Sequence, residues 1–274
     1  MALVKALPIA RKLLKQARKI CVLTGAGISA ESGLKTFRDA GGLWEEHPVE
    51  KVATPQGFSR DPELVWRFYN ARRKSADVAA PNAAHLALAR LELAKGRQAK
   101  TRPHKAHEPS NGNGNGNGNG LSHKKIFPFT LLTQNIDGLH QQAGSVNVVE
   151  LHGSIWKVRC TDCGAVTSDH PIELPILPRC EACEGLLRPH VVWFGENLDP
   201  VVLEQAEQAS VSCDLFLVIG TSAIVQPAAS YPFIASQRNV PVIEINVENT
   251  PVSAIAAATL LGKAGELLPK LVSD

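Results

Sequence analysis

The sequence predicts an α/β fold: a doubly wound, Rossmann-like parallel sheet with a small zinc-binding lobe and a helical module beside its first loop. Three observations carry that reading. The apolar run Ile20-Cys21-Val22-Leu23 empties into Gly25-Ala26-Gly27, and three later apolar runs, Phe129 to Thr133, Asp214 to Ile219 and Val240 to Ile245, also end in glycine or small polar residues. Between these runs lie segments able to act as crossover helices, including 200–210 and 228–238. Two Cys-x-x-Cys pairs, Cys160/Cys163 and Cys180/Cys183, bracket a stretch too poor in apolar residues to build a core of its own. Open parallel sheets bind ligands outside the carboxyl ends of their strands, so four polar strand ends point to one crevice.

At 274 residues the chain is long enough for one large domain with a smaller insertion. We divide it into a Rossmann-like part, 1–157 and 188–274, and a zinc-binding part, 158–187. The first part includes a helical module at about 46–80 and a disordered insertion at about 96–125. The net charge of +3 is mild, and no specific nucleic-acid partner is expected. No apolar run reaches the roughly 20 residues that span a bilayer, so no membrane partner is expected either.

Taken in order, the first 19 residues are basic and free of acid. That composition fits a mitochondrial transit peptide, but Ile9, Leu13, Leu14 and Ala17 have helical spacing and predict a helix packed before the first strand. Gly25, Gly27 and Ala30 then fit G-x-G-x-x-G/A, in which small residues let the backbone approach a pyrophosphate. The polar, glycine-interrupted segment 36–42 follows where an ordinary unit would continue as helix, so this loop is expected to cover a ligand as well as cradle it. Asp61-Pro62-Glu63 is a helix start, with Asp61 as N-cap and Pro62 in the first turn, and the helix is expected to run to about Lys74. On it Val65, Tyr69 and Arg72 share a face. Arg72 either snorkels to solvent or, with Tyr69, meets a carboxylate in a pocket. A further helix is expected over 82–95. The repeated Asn-Gly of 111–120 cannot bury enough surface to offset chain entropy.

The paired Cys-x-x-Cys motifs have the spacing of a four-cysteine zinc site, whereas a redox motif needs only one pair. Four thiolates complete a tetrahedron and leave no position for water, so the predicted zinc is structural. Cys21 and Cys213 sit in or beside apolar runs as buried thiols, which favours an intracellular compartment.

Gly25-Ala26-Gly27, Gln134-Asn135-Ile136-Asp137, Leu151-His152-Gly153, the paired cysteines, Gly220-Thr221-Ser222 and Asn246-Val247-Glu248 occur in the order of a sirtuin catalytic core. The chain resembles that family over nearly all of 20–268. The resemblance implies an NAD-dependent protein lysine deacylase that uses NAD as co-substrate and yields nicotinamide and O-acyl-ADP-ribose, with His152 as general base. It further implies cofactor contacts from the glycine loop, Ala30 and Glu31, from Thr36, Phe37, Arg38 and Trp44, and from Gln134, Asn135, Ile136 and Asp137. Gly220, Thr221, Ser222, Asn246, Val247 and Glu248 would bind the adenosine side, and Ala264 would touch adenine. Lys35 stands where the family usually has proline. Val191, Val192, Trp193, Phe194 and Gly195 resemble the segment beside which an acyl-lysine peptide lies as an added strand, although periodicity alone reads it as a buried strand.

Ala53-Thr54-Pro55 and Tyr69-Asn70-Ala71-Arg72 resemble class III sirtuins, which recognise succinyl, malonyl and glutaryl groups. In that class Tyr69 and Arg72 would bind the acyl carboxylate and Ala53 would widen the pocket. Class III members of eukaryotes are commonly mitochondrial; a cytoplasmic or nuclear location is the alternative. A monomer is expected. The competing functions are a general deacetylase, a protein ADP-ribosyltransferase and a non-catalytic NAD binder.

Overall fold

A computed structural model describes residues 3–35, 43–44, 47–101, 127–168 and 170–273. The chain opens with helix α1 (Leu3–Gln16) and strand β1 (Ile20–Thr24), whose end passes into two 3₁₀ turns at Ala26–Ile28 and Ala30–Ser32. A two-stranded ribbon, β2 (Leu43–Trp44) and β3 (His47–Pro48), leads to helices α2 (Val49–Val52), α3 (Pro55–Arg60), α4 (Pro62–Val78) and α5 (Ala83–Thr101). Strand β4 (Phe129–Thr133), helix α6 (Leu139–Gln142) and strand β5 (Val148–Glu150) follow, and then β6 (Gly153–Cys160), β7 (Val166–Thr167) and β8 (Leu187–Val191). The chain ends with α7 (Pro200–Ser212), β9 (Leu215–Ile219), α8 (Tyr231–Gln237), β10 (Val242–Asn246), β11 (Ala258–Leu261) and α9 (Ala264–Val272).

The main sheet is parallel, in the order β11-β10-β9-β1-β4-β5. Its central strands are buried on both faces. Ile20 and Val22 join Leu131, Leu217 and Ile245 in one core, while Cys21 and Leu23 join Leu132, Phe216 and Val218 in a second. Residues from α1, α5 and α9 pack into the first core and residues from α7 and α8 into the second, as a period-2 strand buried on both sides requires. This is the predicted doubly wound sheet. The order reverses at β1, which has β4 on one side and β9 on the other, and the crevice at their carboxyl ends is the predicted ligand position.

A third core joins α2, α3 and α4 to a separate three-stranded antiparallel sheet, β7-β6-β8. Val52, Phe58, Trp66 and Tyr69 pack there with Ile155, Val158, Leu187 and Trp193. Arg73, nearly fully buried, ties the two parts together. Its guanidinium donates to the carbonyls of Ile155, Pro171 and Ile172 and lies 5.1 Å from the Trp156 ring centroid.

Several sequence expectations need correction. The α4 helix begins as predicted, with the Asp61 side chain accepting from Leu64 N at 2.9 Å, but it runs one turn past Lys74. Residues 96–101, assigned above to the disordered insertion, continue α5, because the strong helix formers Arg97, Gln98, Ala99 and Lys100 follow directly and offset the helix cost of Gly96, about 1 kcal/mol. The rest of that insertion lies outside the described residues. Helix α1 turns inward most of the expected face, with Leu14 and Ala17 buried and Leu13 packed against the same core, but Ala6 and Ala10 complete it and Ile9 is 40% exposed. The alanines let α1 approach β11 closely, a packing that large apolar residues do not announce. Strand β11 was missed because Ala258-Thr259-Leu260-Leu261 is short and carries little β-branched character.

Candidate active site

The cleft at the carboxyl end of the main sheet has a volume of about 670 Å³ and runs between the two parts of the molecule. Gly25, Ala26, Gly27, Ala30 and Glu31 line one side of it. The glycines are required by close backbone packing. A Cβ on Gly27 would stand 2.8 Å from the Gly220 carbonyl oxygen, and one on Gly25 would stand 2.7 Å from Thr221 Cβ. Gly27 N donates to Gly220 O at 2.8 Å, so the loops after β1 and β9 are stitched together. Glu31 accepts from Gly265 N at 2.8 Å, which brings the start of α9, with Ala264 on the cleft, to the same wall.

After β4, Gln134 to Asp137 enter the cleft from its floor. Gln134 Nε2 donates to Thr221 Oγ1 at 2.9 Å, and Asn246 Nδ2 donates to Thr221 O at 2.9 Å. Gly220, Thr221, Ser222, Asn246 and Val247 all line the cleft; Glu248 is exposed and does not. Thr36, Phe37 and Arg38 lie outside the described residues, and of Trp44 only the backbone is described.

His152 lies on the cleft between β5 and β6. Its Nδ1 is 3.1 Å from Gln134 O. A carbonyl only accepts, so Nδ1 carries the hydrogen and Nε2 keeps its lone pair. Burial pushes the imidazole below its ordinary pKa, against a smaller upward effect of the Gln134 carbonyl, so the ring is neutral at physiological pH. Asp137 is buried, and desolvation raises its carboxyl, opposed by hydrogen bonds from Leu139 N and Ser29 Oγ and by the Arg72 charge. Ser29 is a junction: it accepts from Asn135 Nδ2 at 3.0 Å and donates to Asp137 Oδ2 at 2.8 Å.

The opposite end of the cleft is lined by Ala53, Tyr69 and Arg72, and by Val191 to Gly195. Arg72 is half-buried and lies on the cleft. Ala53 and Tyr69 are buried, and Phe194 N donates to Ala53 O at 3.0 Å. Val192 N donates to His152 O at 3.0 Å, so the segment after β8 is fixed to the loop that carries His152.

The four predicted metal cysteines converge, with all Sγ atoms within 4.8 Å of one another. Cys160 and Cys183 are 3.5 Å apart and Cys163 and Cys180 are 3.8 Å apart. A tetrahedral zinc with Zn–S bonds of about 2.3 Å has sulfur–sulfur edges of about 3.8 Å, so the cluster fits that ion with no open position.

A family model described as the Sir2 family matches residues 25–101 and 121–227. The chain belongs to the Sir2 family. It is similar to a protein of Pyrobaculum aerophilum named NAD-dependent protein deacylase 2, at 47% identity over 96% of this chain and 93% of that one. It is also similar to the dog protein named NAD-dependent protein deacylase sirtuin-5, mitochondrial, at 41% identity over 96% of this chain and 84% of that one. Among solved structures, a Sir2 homologue in complex with NAD matches with a TM-score of 0.78 and 42% identity, covering 96% of this chain and 91% of the other. A Sir2 protein bound to a myristoylated histone peptide matches with a TM-score of 0.70 and 34% identity, over 98% of this chain and 95% of the other.

In this Sir2 chain three polar residues beneath the cleft went unnoticed in the sequence. They are Ser29, His85 and His140. His85 accepts from Asn82 N at Nδ1 (3.3 Å), so its Nε2 hydrogen faces Ser29 Oγ at 3.4 Å. His140 Nε2 meets Thr24 Oγ1 at 3.0 Å, and the two imidazole centroids are 4.8 Å apart. Helical or apolar surroundings hide such residues from a motif search; a histidine inside an otherwise apolar helix was the available signal.

Proposed function

We propose that this Sir2 enzyme removes acidic acyl groups, succinyl, malonyl or glutaryl, from protein lysines, consuming NAD and giving nicotinamide and O-acyl-ADP-ribose. One observation carries the choice of acyl group: Tyr69 and Arg72 lie on the same cleft as His152, with small Ala53 beside them. A guanidinium in a partly dry pocket binds a carboxylate bidentately, and a phenol adds a donor. The likeness to relatives named sirtuin-5 supports the same reading.

Bound NAD supplies an electrophilic ribose carbon and a nicotinamide leaving group. His152, with its Nδ1 hydrogen committed to Gln134 O, presents Nε2 to take the proton of a ribose hydroxyl. Asn135 and Asp137, linked through Ser29, orient the ribose and the nicotinamide amide. The stitched glycine loops receive the pyrophosphate, while Ser222, Asn246 and Ala264 face the adenosine. The acyl-lysine peptide lies extended along Val191 to Gly195, adding a strand beside the loop that holds Ala53. The four cysteines hold one structural zinc that anchors the small sheet. We place the enzyme in mitochondria, as the names of the sirtuin-5 relatives suggest, and expect it to act as a monomer.

The test is NAD-dependent turnover of matched succinyl-lysine and acetyl-lysine peptides by wild type, Arg72→Met and His152→Asn. Wild type should prefer succinyl by tens- to thousands-fold, since an unpaired partner of a buried charge pair costs roughly 2 to 5 kcal/mol. Arg72→Met should abolish that preference, and His152→Asn should abolish both activities. Equal turnover of the two peptides by wild type would leave a general deacylase.

A further inference from the structure

Trp193 is held more tightly than packing against a substrate requires. Its backbone N–H donates to Glu196 Oε2 at 2.8 Å, and Glu196 forms a bidentate pair with Arg188 at 2.6 and 2.9 Å. The Arg188 guanidinium carbon lies 3.4 Å from the Trp193 ring centroid, and the Phe58 ring packs at 5.2 Å. The indole Nε1–H then reaches Tyr69 Oη at 2.8 Å, within the protein interior. Phenylalanine would satisfy the stacking on Arg188 and Phe58; only the bond to Tyr69 calls for an indole.

An indole N–H donates and never accepts, so Tyr69 Oη is the acceptor of this bond. A phenolic hydrogen prefers the ring plane, which offers it two directions. The Trp193 N–H excludes the one that faces it. Burial raises the Tyr69 pKa above its ordinary value, so the hydroxyl stays protonated and able to donate.

We infer that Trp193 is a positioning residue for acyl selectivity: its indole N–H turns the Tyr69 hydroxyl hydrogen toward the acyl carboxylate, and the Arg188–Glu196 pair clamps the indole in place. The inference rests on the acidic-acyl reading above, and gives the tyrosine a fixed donor direction rather than mere proximity to Arg72.

The experiment compares kcat/KM for succinyl- and acetyl-lysine peptides in wild type, Arg72→Met, Trp193→Phe, Tyr69→Phe and the Trp193→Phe/Tyr69→Phe double variant. Trp193→Phe should lower the succinyl-to-acetyl ratio about tenfold, equivalent to about 1.4 kcal/mol, mainly by raising KM for the succinyl peptide. In the Tyr69→Phe background it should lower the ratio no further. If Trp193→Phe does not fold, replacing Trp193 by β-(3-benzothienyl)alanine keeps the ring's shape, removes only the donor, and should give the same drop. A variant that slows both peptides equally, or whose effect on the ratio adds in full to that of Tyr69→Phe, would overturn the inference. If Arg72→Met collapses the ratio while Trp193→Phe leaves it intact, only the positioning role fails. If Arg72→Met also leaves it intact, the acidic-acyl reading fails and the inference with it.

Discussion

Lowering the pH from 7 to 5 should remove stability through the two imidazoles beneath the cleft, and His140→Asn should remove about half of that effect. His140 is 1% exposed, and burial, reinforced by neighbouring His85, pushes its pKa down to about 3. Burial pushes His85 down to about 4. In the unfolded chain both titrate near about 6.5. The unfolded state therefore binds more protons below that value, and stability falls as pH drops through it. The fall from each group ends only once pH has passed its folded value of about 4 or about 3. At pH 5 each imidazole has lost about 1.5 pH units of linkage at ~1.36 kcal/mol per unit, or about 2 kcal/mol. The pair together loses about 4 kcal/mol, against a typical net stability of about 5–15 kcal/mol. Urea unfolding of wild type and His140→Asn at both pH values measures this directly. Contributions from the cysteines and other titrating groups are common to both proteins and cancel in the comparison. The variant should lose about 2 kcal/mol less than wild type between pH 7 and 5, whatever its absolute stability. Equal losses in the two proteins would refute the reasoning, because they would mean that His140 binds its proton as readily folded as unfolded.

Two further outcomes follow from the geometry. Stripping the metal with a strong chelator should release one zinc per chain and abolish deacylation, because zinc of this kind contributes on the order of 10 kcal/mol to folding and its sheet shares a core with Tyr69 and Trp193; full activity in the metal-free protein would contradict this. Gly153→Ala should cut turnover at least tenfold, since φ is +75° there and a Cβ would clash with His190 O, next to His152; wild-type turnover and melting temperature would count against it.

The main sheet could be read from sequence because β1 and β9 are apolar on both faces, β4 and β10 are nearly so apart from Thr130 and Glu244, and all four runs end in glycine or small polar residues. The metal cluster was equally plain, since four thiolates at that spacing have few other uses. The motif residues of the glycine loop, of Gln134 to Asp137 and of Gly220 to Ser222 do line one cleft. Less visible were groups whose importance lies in partners far along the chain. Arg73 is one more charge on α4, and nothing local says that the carbonyl of Ile155 on β6 and those of Pro171 and Ile172 in the loop after β7 wait for it. Ser29 read as a loop residue until Asn135 and Asp137 closed on it. Glu248, by contrast, matched a motif yet is exposed and does not line the cleft that Asn246 and Val247 reach.

The interlock of Gly25 and Gly27 with Gly220 also bears on the order in which the molecule assembles. A loop that takes its shape from another strand's end cannot hold a dinucleotide while that strand is still undocked. Cofactor affinity should therefore arise late in folding, only after β9 has inserted beside β1, and a nascent chain ending before that strand should have none. Tight NAD binding then reports that the most distant pairing in the sheet's centre has closed, which makes the ligand a natural proofreader of the finished fold.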